Sequence, residues 1–301
     1  MRVATMSSKG SHIVFAALCL IWGSTWLGIK IGLDFLPPFT FAGLRFAAAT
    51  IVLFPLVKIL HGRTPSGRSS WYLMIFLGIF QLTIPYGLVF WGEQYISSGL
   101  AAVLFATLTF FVVIFAHFLA NEKLTQLKAM GIVASFGGLI AIFWRDLAIQ
   151  NFAIGTSFLG SIAVVGSTAS AALANVVGKR YANKIDPPVS VLVQSAICSL
   201  ALFALGLLTE SNLPMHFTLL AIGMILYLGI IGSALAFVSL FWLFTQTTAT
   251  NTSLVGFITP ILALLLGWFV LGEVPDPSVW IGIALILGGV YLTLKPSGRF
   301  L

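Results

Sequence analysis

The chain has 301 residues, 59% of them hydrophobic and only 8% charged, with a mean hydropathy of +1.08. A soluble domain carries roughly 25% charged residues, so too few polar groups are present here to cover a water-facing surface, and lipid is the expected solvent. The formal charge of +7 would suggest nucleic acid in a soluble chain, but in a membrane protein basic residues mark cytoplasmic loops, and no nucleic-acid partner is expected.

A helix rising ~1.5 Å per residue needs about 20 apolar residues to cross ~30 Å of hydrocarbon. Such runs predict ten spans, at 12–33, 38–60, 72–93, 99–120, 126–144, 153–176, 188–209, 217–242, 251–272 and 278–295. Arg2 and Lys9 precede the first run as in a signal peptide. That run is too long and no small-residue cleavage site follows, so it reads as a span. Turn chemistry separates the runs at Leu36-Pro37-Pro38, Thr64-Pro65-Ser66-Gly67, Ser97-Ser98-Gly99, Asp186-Pro187-Pro188 and Pro275-Asp276-Pro277. The runs are continuously apolar rather than alternating, which favours helices over a β-barrel. Cys19 and Cys198 lie inside apolar runs and predict buried thiols, with no disulfide and no metal site.

With the N-terminus cytoplasmic, the cytoplasmic segments hold Arg2, Lys9, Lys58, Arg63, Arg68, Lys123, Lys128, Lys179, Arg180, Lys184, Lys295 and Arg299. The other side and the outer helix halves hold only Lys30, Arg45 and Arg145. This positive-inside bias places both termini in the cytoplasm.

The spanning pattern occurs twice. Residues 77–141 slide onto 228–292 without a gap: Leu77-Gly78 falls on Leu228-Gly229, Phe90-Trp91 on Phe241-Trp242, Phe118 on Phe269 and Glu122 on Glu273. Gly131-Ile132 falls on Gly282-Ile283 and Gly137-Gly138 on Gly288-Gly289. Earlier, Gly23-Ser24-Thr25 corresponds to Gly166-Ser167-Thr168 and Pro37-Pro38 to Pro187-Pro188. Five spans per half is an odd number, so the second half is expected to sit inverted. The fold class is therefore an all-α integral membrane protein of two inverted five-helix repeats, at 12–144 and 153–295. Secondary transporters build a central site from such repeats.

At these residues the chain resembles the drug/metabolite transporter superfamily, in its EamA-domain branch. The marks are Trp22-Gly23-Ser24, Leu36-Pro37-Pro38 followed by Leu44-Arg45-Phe46, Thr259-Pro260 in the fourth helix of a repeat, Leu271-Gly272-Glu273 after it, and a closing Gly288-Gly289. The first copy departs from the pattern, with Thr109-Phe110 in place of Thr-Pro and Asn121-Glu122 in place of Gly-Glu. Its fourth helix is therefore expected to lack the proline-related bend. The resemblance implies two five-helix domains and the movement of small metabolites, amino acids or drugs, mostly outward.

Among candidate functional residues, Arg45 and Glu93 are placed by depth in an outer vestibule. Arg45 either attracts a substrate carboxylate or forms a structural ion pair with Glu93. Glu122 and Glu273, at turns before the fifth helix of each copy, read as helix caps rather than as proton carriers. Depth counting brings Trp22, Trp26, Gln81, Tyr86, Trp91, Gln194 (with Ser195), Ser239 and Trp242 toward a midplane substrate site. Pro85 and Pro260 bend their helices there and free backbone carbonyls. The same residues also have a packing reading, because aromatic residues gather at membrane interfaces and small ones in helix seams. A wall of aromatics with a few amides and hydroxyls suits a neutral or zwitterionic molecule.

His12, His61, His117 and His216 are scattered without ligand spacing, and the glycine pairs sit inside apolar helices rather than in a phosphate loop. No enzymatic activity, metal or cofactor is expected. The expected function is secondary transport of small organic metabolites, foremost amino acids or related compounds, by alternating access across a bacterial inner membrane. The alternative is an intramembrane binding or scaffold protein without flux. Lipid and a small-molecule substrate are the expected partners.

Overall fold

A computed structural model describes residues 9–63, 65, 67–121, 124–149, 154–181, 185–246, 249–275, 277 and 279–294. Among these every regular element is helical. In chain order they are α1 (Lys9–Leu33), α2 (Pro38–Ile59), α3 (Arg68–Glu93), α4 (Ser98–Ala120), α5 (Gln126–Ile149), α6 (Thr156–Arg180), α7 (Pro187–Thr209), α8 (Leu219–Leu226 continuing through Ala236–Gln246), α9 (Ala249–Leu271) and α10 (Val279–Leu294). Seven of them (α1–α4 and α6–α8) are long and apolar enough to cross a bilayer. The apolar stretches Gln126–Ile142, Val255–Leu271 and Val279–Leu294 are shorter. The N-terminal segment with Arg2 and the C-terminal one with Lys295 and Arg299 lie outside the described residues, as do Lys123 and Lys184.

Large apolar side chains cover the outside: Leu219 is 88% exposed, Leu208 82% and Phe269 74%. Only lipid makes such a surface stable. Helices in lipid gain nothing from apolar burial against one another, so close backbone packing and hydrogen bonds must hold them. The helix starts show the second device. Ser97 Oγ accepts from Leu100 N (3.3 Å), Thr218 Oγ1 from Ala221 N (3.1 Å) and Asp186 Oδ1 from Val189 N (3.4 Å). Proline occupies the first turn of α2 and α7, where its missing N–H costs nothing.

The glycines of α5 and α10 show the first device. A Cβ on Gly131 would fall 2.6 Å from the Gly289 carbonyl oxygen, and one on Gly138 would fall 2.6 Å from that of Gly282. Ser135 Oγ donates to Ile286 O at 3.4 Å. As position rises on α5 it falls on α10, so the two helices run in opposite directions. In the repeat register Gly131 matches Gly282, Gly138 matches Gly289 and Ser135 matches Ile286. The contacts are thus reciprocal, as across a two-fold axis. Each Gly-Gly pair contributes one packing member, because Gly137 and Gly288 have nothing within 4 Å of an added Cβ.

A second reciprocity involves two stretches of π-helix, Gly78–Thr83 inside α3 and Tyr227–Leu235 inside α8. Shifted by the repeat offset, the first falls within the second. Each stretch folds a hydroxyl back five residues: Thr83 Oγ1 to Gly78 O (2.9 Å) and Ser233 Oγ to Leu228 O (3.0 Å). Helix α7 lies against the first stretch at Gly78, whose added Cβ would meet Ile197 at 3.1 Å. Helix α2 lies against the second at Gly229, where an added Cβ would reach the Arg45 carbonyl oxygen at 2.5 Å. Each half therefore leans its second helix on the other half's third.

The fourth helices differ in where their helical ladder is continuous. Helix α4, without the proline, is interrupted at Ala106–Thr107, where the Thr107 hydroxyl donates to Leu104 O at 2.6 Å. Helix α9 runs unbroken through Pro260. At the interruption the backbone closes tighter bonds, Thr107 N to Leu104 O (3.1 Å) and Thr109 N to Ala106 O (3.2 Å).

Gly138→Ala forces a Cβ against a backbone oxygen and is expected to destabilise the protein by about 1–3 kcal/mol. Gly137→Ala, one residue away and facing open space, is expected to leave thermal unfolding in detergent unchanged or slightly raised. Equal effects at the two positions would contradict the seam.

Candidate functional site

Between the halves lies a cavity of about 300 Å³. The first half contributes Trp22, Trp26, Arg45, Gln81, Pro85 and Tyr86. The second contributes Asn175, Phe237, Gly256, Thr259 and Pro260. The Trp-Gly-Ser-Thr segment of α1 is fixed by its neighbours. Trp22 Nε1 donates to Gly232 O (3.2 Å), Ser24 Oγ meets the Tyr227 hydroxyl (2.6 Å), and an added Cβ on Gly23 would reach Leu262 at 2.7 Å. The first two contacts anchor α1 to the π-helical stretch of α8, and the Trp22 and Trp26 rings line the cavity.

Both prolines stand at cavity-lining turns. Pro85 follows the π-helical stretch and has no N–H to offer Phe80 O one wide turn earlier. That carbonyl takes the Ser170 hydroxyl instead, at 2.8 Å. Pro260 leaves the Gly256 carbonyl without its helical donor, and both residues line the cavity. Across the cavity Gln81 Nε2 donates to Asn175 Oδ1 at 3.1 Å, so an amide pair bridges the two halves.

Arg45 is 2% exposed and is the charged residue among those lining this cavity. Its Nε donates to Ser233 Oγ at 3.1 Å, on the π-helical stretch of the opposite half. Its guanidinium lies 4.7 Å from the Tyr86 ring centroid and 5.4 Å from that of Phe46, within cation–π range. Nη1 has no hydrogen-bond partner. Glu93 is fully buried, but neither carboxylate oxygen has a hydrogen-bond partner and the residue does not line the cavity. The two charges are not joined by a hydrogen bond. Lys30 Nζ instead donates to the main-chain oxygens of Glu93 and Ile96, both at 2.7 Å.

Of the residues singled out by sequence, Trp22, Trp26, Gln81, Tyr86, Arg45, Pro85 and Pro260 come together around the cavity. Trp91, Gln194, Ser239 and Trp242 do not. Trp91 packs edge-on to Tyr95 (5.1 Å), Gln194 is buried and donates to Ser190 Oγ (2.8 Å), Ser239 is half-buried, and Trp242 is 41% exposed. Ser195, the counterpart of Arg45, is fully buried and its hydroxyl has no partner. Asn175, Thr25, Thr109 and Phe237 line the cavity without having been singled out. Asn175 carried a usable signal, an amide in the middle of an otherwise apolar and small-residue run.

The caps also have a geometry of their own. Glu273 accepts from Ser98 N (3.0 Å), Ser98 Oγ (2.6 Å) and Gly99 N (3.4 Å), so it caps α4 of the other half rather than the helix that follows it. Glu210, unremarked in the sequence, takes Phe39 N (2.8 Å), Thr40 N (2.8 Å) and Thr40 Oγ1 (2.7 Å) at the start of α2. Glu122 lies outside the described residues. Removing either described cap orphans backbone donors at a helix start. Glu210→Ala and Glu273→Ala are each expected to cost about 1–3 kcal/mol of stability, read as a lowered unfolding temperature. Unchanged unfolding in both would remove the capping role.

Comparison with known proteins agrees with this architecture. The EamA-like transporter family matches residues 10–144 and again 158–295. The chain is 30% identical to protein PagO of Salmonella typhimurium, over 96% of this chain and 94% of that one. It is 28% identical to the uncharacterized transporter YoaV of Bacillus subtilis (94% and 96%). It is 27% identical to the uncharacterized inner membrane transporter YedA of Escherichia coli (92% and 88%). A crystal structure shares the fold with a TM-score of 0.65 at 18% identity, over 95% of this chain and 98% of that one. The chain is a multi-span membrane protein that belongs to the EamA-like transporter family and carries two EamA repeats.

Proposed function

We propose that this protein is a secondary transporter of small organic metabolites, foremost amino acids or related compounds, in a bacterial inner membrane. The observation that carries the reading is the cavity walled by both repeats and bridged by the Gln81–Asn175 amide pair. A site shared by two repeats changes shape when one rocks against the other, as alternating access requires. Opposite running directions of the matched helices α5 and α10 support inverted repeats, with boundaries at 12–144 and 153–295. The basic-residue bias supports ten spans with both termini cytoplasmic. Names of relatives such as YedA support the inner membrane. Secondary transport would draw on an ion gradient or on the substrate's own gradient.

The test is flux in liposomes carrying the purified protein, with a labelled amino-acid pool. Saturable uptake is expected, reduced at least about tenfold by Trp26→Ala or Gln81→Ala, as loss of a cavity contact worth ~1.4 kcal/mol would give. Retention of amino acids on the protein without any flux would make it a binding or scaffold protein instead.

A further inference from the structure

We propose that the central cavity holds the carboxylate of an organic anion on Arg45, with the apolar body of that molecule against the surrounding aromatic rings. The proposal rests on the transport reading for the ligand's route and goes beyond it in naming the group recognised. A guanidinium offers five N–H donors in a planar fork. The hydroxyl of Ser233 takes Nε at 3.1 Å, and Nη1 has no partner. The rings of Tyr86 and Phe46 attract the cation electrostatically, but they supply no acceptor lone pairs to the fork. A guanidinium that is 2% exposed in a lipid-embedded bundle needs an acceptor or a counter-charge. Glu93 attracts the guanidinium across space but offers it no hydrogen bond, since its oxygens bond to nothing. A carboxylate entering the cavity would supply both at once, in the bidentate geometry that an arginine fork matches.

The charge of the approach points the same way. A second chamber of about 590 Å³ shares Thr109 and Asn175 with the first, so the two lie side by side. Its lining includes Lys128, Lys179 and Arg180. Among the described residues lining either chamber there are four cations and no aspartate or glutamate. Basic side chains along low-dielectric walls attract anions. Beyond Arg45 the inner chamber presents Trp22, Trp26, Phe105 and Phe237, surfaces suited to an apolar or aromatic body. The geometry therefore favours a molecule with a carboxylate at one end over one that is neutral throughout.

The test is thermal unfolding of the full-length protein in detergent with phenylacetate, indole-3-acetate and phenylalanine. Each is titrated beside its amide, phenylacetamide, indole-3-acetamide and phenylalaninamide, with inorganic phosphate as a further arm. A ligand that binds the folded state raises the unfolding temperature in proportion to its affinity. At least one carboxylate is expected to act at concentrations about tenfold or more below those of its amide, as loss of a charge-assisted hydrogen bond would give. Arg45→Gln is expected to abolish that preference. Arg45→Lys, which keeps the charge but loses the fork, is expected to reduce it and provides the comparison if Arg45→Gln fails to fold. Equal action of acid and amide, no action of any carboxylate, a shift by phosphate alone, or a preference that survives Arg45→Gln would each overturn the proposal. Flux without carboxylate preference would leave the carrier standing and remove the subsite. Carboxylate preference without flux would do the reverse.

Discussion

Backbone-to-backbone contact between equivalent helices of the two halves is the constraint on which the rest depends. In lipid, an apolar helix face has no reason to prefer another helix over an acyl chain. Association must come from surfaces that approach more closely than lipid can, and Gly131, Gly138, Gly282 and Gly289 supply them. Because the contacts are reciprocal, the seam ties the halves together at one place and leaves the remaining helices to cross between them. Helices α2 and α7 then lean on the π-helical stretches of the opposite half, and the space left between is the cavity.

Those π-helical stretches do more than absorb an extra residue. Each widens the helix so that a hydroxyl reaches back five positions, and in α8 that hydroxyl is Ser233, which also receives Arg45 Nε. The halves match in backbone but not in charge. Where one places Arg45 over Gly229 and Ser233, the other places Ser195, a small hydroxyl without a partner. Duplicated backbone provides the scaffold, and the residues that break the match give the cavity its chemistry. Single π turns are often found where helices carry function. Here they let a charged residue approach the cavity while the backbone keeps its hydrogen bonds.

The repeat was legible in the sequence because rare residue types held one register, and the all-helical membrane class was legible because so few charges remained to meet water. Which glycine of each pair faces the seam was not legible, since Gly137 and Gly138 differ only in helix phase. The π-helical stretches were hidden for a related reason: nothing local distinguishes Gly78–Thr83 from an ordinary helical turn until α7 presses on it. Depth along a span does not say which way a side chain faces. Trp26 and Trp242 both sit within spans, yet one turns inward and the other outward. Glu273 reads locally as a cap, and it is one, but its helix belongs to the other half. Arg45 reads by depth as an outer-vestibule residue near Glu93; the packing of α2 on α8 sets it at the lining of the central cavity, without a hydrogen bond to Glu93.

The proposed carrier needs this cavity to be reached from both faces of the membrane in turn, and Thr109, at the junction of the two chambers, is where access can be read. Thr109→Cys, in a background with Cys19 and Cys198 replaced, can be reacted with a membrane-impermeant maleimide in right-side-out and in inside-out vesicles. Alternating access predicts labelling from either face, with a transported amino acid changing the balance between them. Labelling confined to one face under every condition would contradict it and leave a one-sided binding pocket in its place.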